Sequence, residues 1–143
     1  MSNLTNKNIL LCVTGGIAAY KAAELVRLLK TSNAFVKVLM TKSAQEFITP
    51  LTMQALSGEK VHTDLLSTEA EAAMGHIELA KWCDLIVIAP CSANSLSKIA
   101  EGRGDDLLSA VCLATESEIF IAPAMNQAMW KDKRTQKNLS KSI

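Results

Sequence analysis

Several short groups of residues have the types that chemistry needs: a histidine in "GHIELAKW", an amide and thioethers in "PAMNQAMW", a glycine pair in "VTGGIA", and hydroxyl and amide side chains in "TKS" and "CSANS". His76 carries an imidazole whose ordinary pKa lies near neutrality, which suits a general acid or base; a lone histidine also serves as a structural hydrogen-bonding residue. Asn126, Met125 and Met129 follow the apolar run "EIFIA". In parallel α/β sheets such a strand end is where ligands bind, although Asn126 would equally cap the next helix and the methionines would equally fill a core.

Gly15 and Gly16 stand between an apolar run and a helical pattern, where absent side chains let backbone N–H groups approach a phosphate or a flat ring. A tight turn is the plainer alternative. The pair fits neither G-x-G-x-x-G nor G-x-x-x-x-G-K-[ST], so NAD-type dehydrogenases and P-loop NTPases lose ground. Small polar residues follow three apolar runs: Thr14 the first, Thr41 and Ser43 the second, and Ser92, Asn94 and Ser95 the run "DLIVIAP". Each set would cap a helix; together, at the carboxyl edge of one sheet, they would converge on a switch-point crevice. With Thr41 and Lys42 after the second run there is no acidic residue for a dinucleotide ribose, so a mononucleotide such as FMN fits better than NAD.

The elements that must hold these residues follow from periodicity. "NILLCV" predicts a strand, and "IAAYKAAELVRLLKTS" a helix with Lys21, Glu24, Arg27 and Thr31 on its polar face. "AFVKVLM" predicts a second strand, and "TKSAQEFI" a turn opening a short helix that Pro50 interrupts. "KVHTD" is expected as a short third strand and "LLSTEAEAAMG" as an acidic loop. "DLIVIAP" is the clearest buried strand, "CSANSLSKIAEG" and "DDLLSAVCLATES" are helices, and "EIFIA" is the last strand. The β-α-β order predicts an α/β fold, Rossmann-like and flavodoxin-like: a three-layer parallel sheet in a single domain over residues 1–143. "WKDKRTQKNLSKSI" starts like an amphipathic helix and stops, so the domain is expected to continue past Ile143.

Composition narrows the class. The chain has 143 residues, 49% of them hydrophobic, and a net charge of +1 with both signs interspersed; this excludes the one-signed field that attracts nucleic acid. No apolar stretch reaches membrane-spanning length, and Cys12, Cys83, Cys91 and Cys112 form no C-x-x-C pair, as expected of reduced, structural thiols in a cytoplasmic protein. No Ser-His-Asp arrangement and no His or Cys pair with metal-ligand spacing is present, so neither hydrolase chemistry nor a metal is expected.

Taken together, "TGGIAAYK", "GHIELAKW", "DLIVIAPCSANSLSKIAEG" and "PAMNQAMW" resemble the flavin-containing cysteine decarboxylases, from about residue 7 to about residue 139. The likeness is strongest to members that decarboxylate phosphopantothenoylcysteine towards phosphopantetheine in coenzyme A biosynthesis. It implies bound FMN and a homotrimer, or a dodecamer of trimers where a phosphopantothenate-cysteine ligase domain is fused. By resemblance, Gly15, Gly16 and Ile17 match the first flavin loop, Thr41, Ser43 and Phe47 the second, and Ser92, Ala93, Asn94 and Ser95 the third, with Ala124 near the flavin ring. His76 matches the active-site histidine, Asn126 the asparagine that holds the substrate carboxylate, and Met129 would line the same pocket.

The resemblance also implies a chemistry: the substrate thiol is oxidised to a thioaldehyde, carbon dioxide leaves, and a cysteine on a C-terminal lid protonates the enethiolate before its reduction. No matching lid motif is present, and none of the four cysteines lies in the right segment. Three rival readings share the likeness. A lantibiotic-type peptidyl-cysteine decarboxylase has the histidine and the "SAN" motif, but "PAMN" rather than "PNMN" disfavours it. A flavin prenyltransferase is not expected to carry "HIE" with "PAMN". A regulatory flavoprotein that binds a phosphatase usually carries a long acidic tail, which this sequence lacks.

Overall fold

Strand β1 (Asn8–Val13) is buried at every position after the first, as expected of a central strand covered on both faces. The computed structural model describes residues 2–65 and 75–142. The expected acidic loop falls, over residues 66–74, outside the described residues. β1 pairs in parallel with β2 (Phe35–Met40) on one side and with β3 (Leu85–Cys91) on the other, and β3 pairs in parallel with β4 (Glu118–Pro123). The order β2-β1-β3-β4 reverses direction beside β1, which places a switch point between the carboxyl ends of β1 and β3.

Helices cover both faces and make the three layers. On one face, α1 (Lys21–Thr31) and α2 (Pro50–Ser57) bury Ala22, Val26, Leu29 and Met53 against Ile9, Leu11, Val36 and Val38. On the other, α3 (His76–Trp82), α4 (Ala93–Glu101) and α5 (Leu107–Ala114) bury Leu79, Leu96 and Val111 against Leu10, Cys12, Ile86 and Ile88. Each fully buried Leu or Ile stabilises the fold by about 1.5–3 kcal/mol relative to exposure. The short α6 (Gln127–Lys131) and α7 (Lys133–Ser142) follow β4, and Leu139 packs onto the second cluster. The first layer stops short of β4: Glu118, Phe120 and Ala122 are exposed, and Leu85, Val87 and Ala89 only half-buried.

Three local expectations are corrected. Pro50 does not interrupt a helix but starts one, because the first turn needs no N–H from it and Thr49 caps that turn by accepting from the Thr52 N–H at 3.2 Å. "KVHTD" forms no strand. His62 makes a single parallel rung beside Leu39, accepting from the Met40 N–H and donating to the Val38 carbonyl, both at 2.9 Å, and the chain then turns away. After the glycine pair, a 3₁₀ turn over Ile17–Tyr20 precedes the α-helix. Among the described residues, no helix is long and apolar enough to cross a membrane.

Candidate functional site

The carboxyl edge of the sheet opens into two adjoining cavities that share Gly15 and Ser92. The first, of about 550 Å³, is polar: Thr41, Ser43, Asn94 and Ser95 line it, together with Lys98 and Asp106. The second, of about 530 Å³, is mostly apolar: Gly16, Ile17, Phe47, Ala93 and Ala124 line it. Asn126 and Met129 complete that second cavity, so the two residues expected to bind substrate and the loop residues expected around a flavin line one continuous cleft. Both volumes suit a small organic ligand.

Each loop is held by a local device. The Thr41 hydroxyl accepts from the Ala44 N–H at 3.2 Å and opens the 3₁₀ turn Ser43–Glu46. Ser92 caps α4, its Oγ accepting from the Ser95 N–H at 3.1 Å, so the helix N-terminus faces the polar cavity. Asn126 is the N-cap of α6: its Oδ1 accepts from the Met129 N–H at 2.9 Å, and this cap does not use the amide nitrogen. The cap and binding readings of Asn126 are therefore compatible.

The glycines separate into two roles. A Cβ on Gly15 would collide with the Cβ of Ser43 and come within 3.1 Å of that residue's carbonyl carbon, so Gly15 is required by the packing of the first loop on the second. A Cβ on Gly16 would meet nothing within 4 Å, and its backbone is extended, which any residue adopts. Nothing in the fold needs glycine at Gly16; its missing side chain leaves the apolar cavity open to a flat ring. An apolar slot continuous with a polar, helix-capped chamber matches the outline of a flavin ring with its polyol and phosphate.

His76 is placed differently. It is the first residue of α3 and half-buried, and it lines neither cavity. The other end of its helix is tied to the start of β1, where the Asn8 side-chain amide donates to the Trp82 carbonyl at 3.1 Å. Lys81 is exposed in the last turn of α3, whereas Lys98, which lines the polar cavity, lies within 3.5 Å of both Asp105 and Asp106.

Sequence reading missed the far wall of the polar cavity, formed by Asp64 and by Asp105 to Leu108. A signal was present in "DLLS": Asp106 and Ser109 form a reciprocal capping box at the start of α5. Burial pushes the Asp106 carboxyl up, but the hydrogen bonds from the Ser109 hydroxyl and backbone N–H, with Lys98 nearby, outweigh it and hold the group below its ordinary value. Burial also raises the thiols: Cys91 and Cys112 to about 12, and Cys12 well above its ordinary value. These three remain protonated at neutral pH and cannot serve as thiolate nucleophiles. Among the described residues, no group of three or more His, Cys, Asp or Glu is arranged to hold a metal ion.

The family model described as Flavoprotein matches residues 1–141. The coenzyme A biosynthesis bifunctional protein CoaBC of Haemophilus influenzae is 55% identical over 137 residues, covering 96% of this chain and 34% of that protein; the chain thus spans about a third of the relative's length. Among solved structures, the FMN-dependent cysteine decarboxylase SpaF superposes with a TM-score of 0.88 at 32% identity, over 96% of this chain and 79% of that one. A PPC decarboxylase variant complexed with pantothenoylaminoethenethiol superposes with a TM-score of 0.78 at 34% identity, over 95% and 75% respectively.

Proposed function

The chain belongs to the flavoprotein family, and from that premise we propose that it binds FMN in the two-part cleft and decarboxylates phosphopantothenoylcysteine on the way to coenzyme A. The observation that carries this reading is the meeting, in one apolar cavity, of the ring-sized gap beside Gly16 with the amide of Asn126. The bifunctional name of the Haemophilus influenzae relative and the ligand of the PPC decarboxylase structure support the choice of substrate.

Bound FMN supplies the two-electron acceptor that lets a substrate thiol be oxidised, which turns the neighbouring carboxylate into a leaving group. The residues of the chain bind, orient and exclude. Gly15, Gly16 and Ile17, with Ala93 and Ala124, take the ring; Thr41, Ser43, Ser92, Asn94 and Ser95 hold the polar tail; Phe47 closes the slot. Asn126 orients the substrate carboxylate through its amide nitrogen without adding a positive charge that would hold the carboxylate back. Met129, on the first turn of α6, limits the pocket beside it. His76 receives, at an imidazole nitrogen, the proton released when the thiol is oxidised.

Because His76 lines neither cavity of its own chain, the reading places it in the cleft of a neighbouring subunit of a homotrimer, or of a dodecamer of such trimers. The apolar strip that runs from half-buried Val87 and Ala89 on β3 to exposed Phe120 on β4 supports an assembly of this kind. Fusion to a phosphopantothenate-cysteine ligase belongs to the same proposal, as does a cytoplasmic location, which the free cysteines support.

The deciding experiment is the visible flavin spectrum of the purified chain under anaerobic conditions, before and after addition of phosphopantothenoylcysteine. Bleaching is expected. Bleaching only by a peptide ending in cysteine would move the assignment to the peptidyl-cysteine decarboxylases, and an oxidised flavin that no thiol reduces would leave a regulatory flavoprotein.

A further inference from the structure

Regular pairing between β1 and β3 ends at Cys12 opposite Ile88, and the register between β3 and β4 shifts between Ile88 and Cys91. Pro90 stands in this break, and a proline has no N–H to continue the ladder. Thr14, one residue past the end of β1 and 0% exposed, fills the gap with its side chain. Its hydroxyl donates to the Pro90 carbonyl at 2.6 Å and accepts from the Ser92 N–H at 2.9 Å, and its own N–H donates to the same carbonyl at 3.2 Å. The hydroxyl thus uses donor and acceptor at once, in a buried place where an unmade hydrogen bond costs most.

What this hydroxyl fixes is the start of the third loop. Ser92 lines both cavities and caps α4 through Ser95, and the preceding carbonyl, that of Cys91, accepts from the Ala124 N–H at 3.0 Å. One chain of hydrogen bonds therefore runs from the end of β1 through Ser92 to the N-terminus of α4, with a branch to Ala124 beyond β4. We propose that Thr14 is a positioning residue: its hydroxyl sets the distance between the glycine loop and the α4 loop and so holds the cleft at the width its ligand requires. Thr14 lines neither cavity and acts only through Ser92. The inference rests on the FMN reading for its ligand, but the clamp itself is a property of the protein alone.

The test compares Thr14→Val, which keeps the shape and removes both hydrogen bonds, with Thr14→Ser, which keeps the hydroxyl. Two quantities are read: release of FMN on dilution of the holoprotein, followed by recovery of flavin fluorescence, and hydrogen exchange at the Ser92 amide. Thr14→Val is expected to speed FMN release at least about tenfold, the factor that corresponds to losing one buried hydrogen bond, and to deprotect Ser92. Thr14→Ser is expected to stay within about threefold of the wild type and to keep Ser92 protected. A Thr14→Val protein that melts earlier yet releases FMN at the wild-type rate overturns the proposal, because the hydroxyl would then serve stability only. If Thr14→Val does not fold, Thr14→Ser decides: protection with near wild-type release supports the clamp, and fast release overturns it. A wild type that binds no FMN would sink the functional reading alone; an unprotected Ser92 amide in the wild type would sink the clamp whatever the ligand.

Discussion

Gly15 and Gly16 are neighbours that the sequence presents as one motif and the structure separates by what each would strike. Gly15→Ala drives a Cβ into Ser43, so the protein should lose about 1–3 kcal/mol in denaturant unfolding, the usual cost of overpacking. Gly16→Ala should leave stability within about 0.5 kcal/mol, since its Cβ meets nothing, while FMN release measured by fluorescence becomes faster. Equal effects on stability from both changes would contradict this division. For His76 the expected outcome of His76→Asn is retained FMN and a flavin reduction at least about a hundredfold slower in stopped-flow, the scale on which general bases act. Residue types were legible here and pair relations were not: "TGG" announced an open loop, but only the approach of Ser43 tells which glycine the fold cannot spare.

At the scale of elements, the start of α5 shows how a cap ties a wall to a site. Asp106→Ala should cost about 1 kcal/mol in unfolding at neutral pH, the usual worth of an N-cap, and should loosen the wall that Asp105 to Leu108 give the polar cavity. Since the folded pKa of Asp106 lies below its ordinary value of 3.8, folding favours the ionised form. The stabilisation is thus complete above the ordinary range and drains away as pH falls through and below it. Urea melts of wild type and Asp106→Ala should accordingly differ at pH 7 and converge only as pH falls below 3.8. Strands and long helices were legible because burial on both faces, or on one helical stripe, leaves a periodic mark, as in "NILLCV" and "KAAELVRLLKT". Pro50 and "KVHTD" misled for a physical reason: proline is as much a helix starter as a breaker, and one rung at a sheet edge has no period to read.

For the whole molecule, the layer that stops short of β4 is the informative defect. Phe120 is 54% exposed beside half-buried Val87 and Ala89, an apolar strip at the strand that bounds the sheet. Under the trimer reading, Phe120→Glu should give a monomer by light scattering and, with His76 no longer delivered to a neighbouring cleft, should abolish turnover. A variant that stays trimeric would move the interface elsewhere. No periodicity in the sequence carries this information, because β4 reads as a plain apolar run until it is seen that no helix among the described residues covers that face.

The buried thiols have a practical corollary. With Cys12, Cys83 and Cys91 closed off from solvent and Cys112 half-buried, a thiol reagent can reach the first three only while the molecule is open. The rate at which a chromogenic disulfide consumes the three buried thiols of the native protein, at high reagent concentration, therefore times the opening of the second core layer. The native cysteines make a clock that needs no engineered label, and a single new cysteine placed on the surface would stand out against their silence.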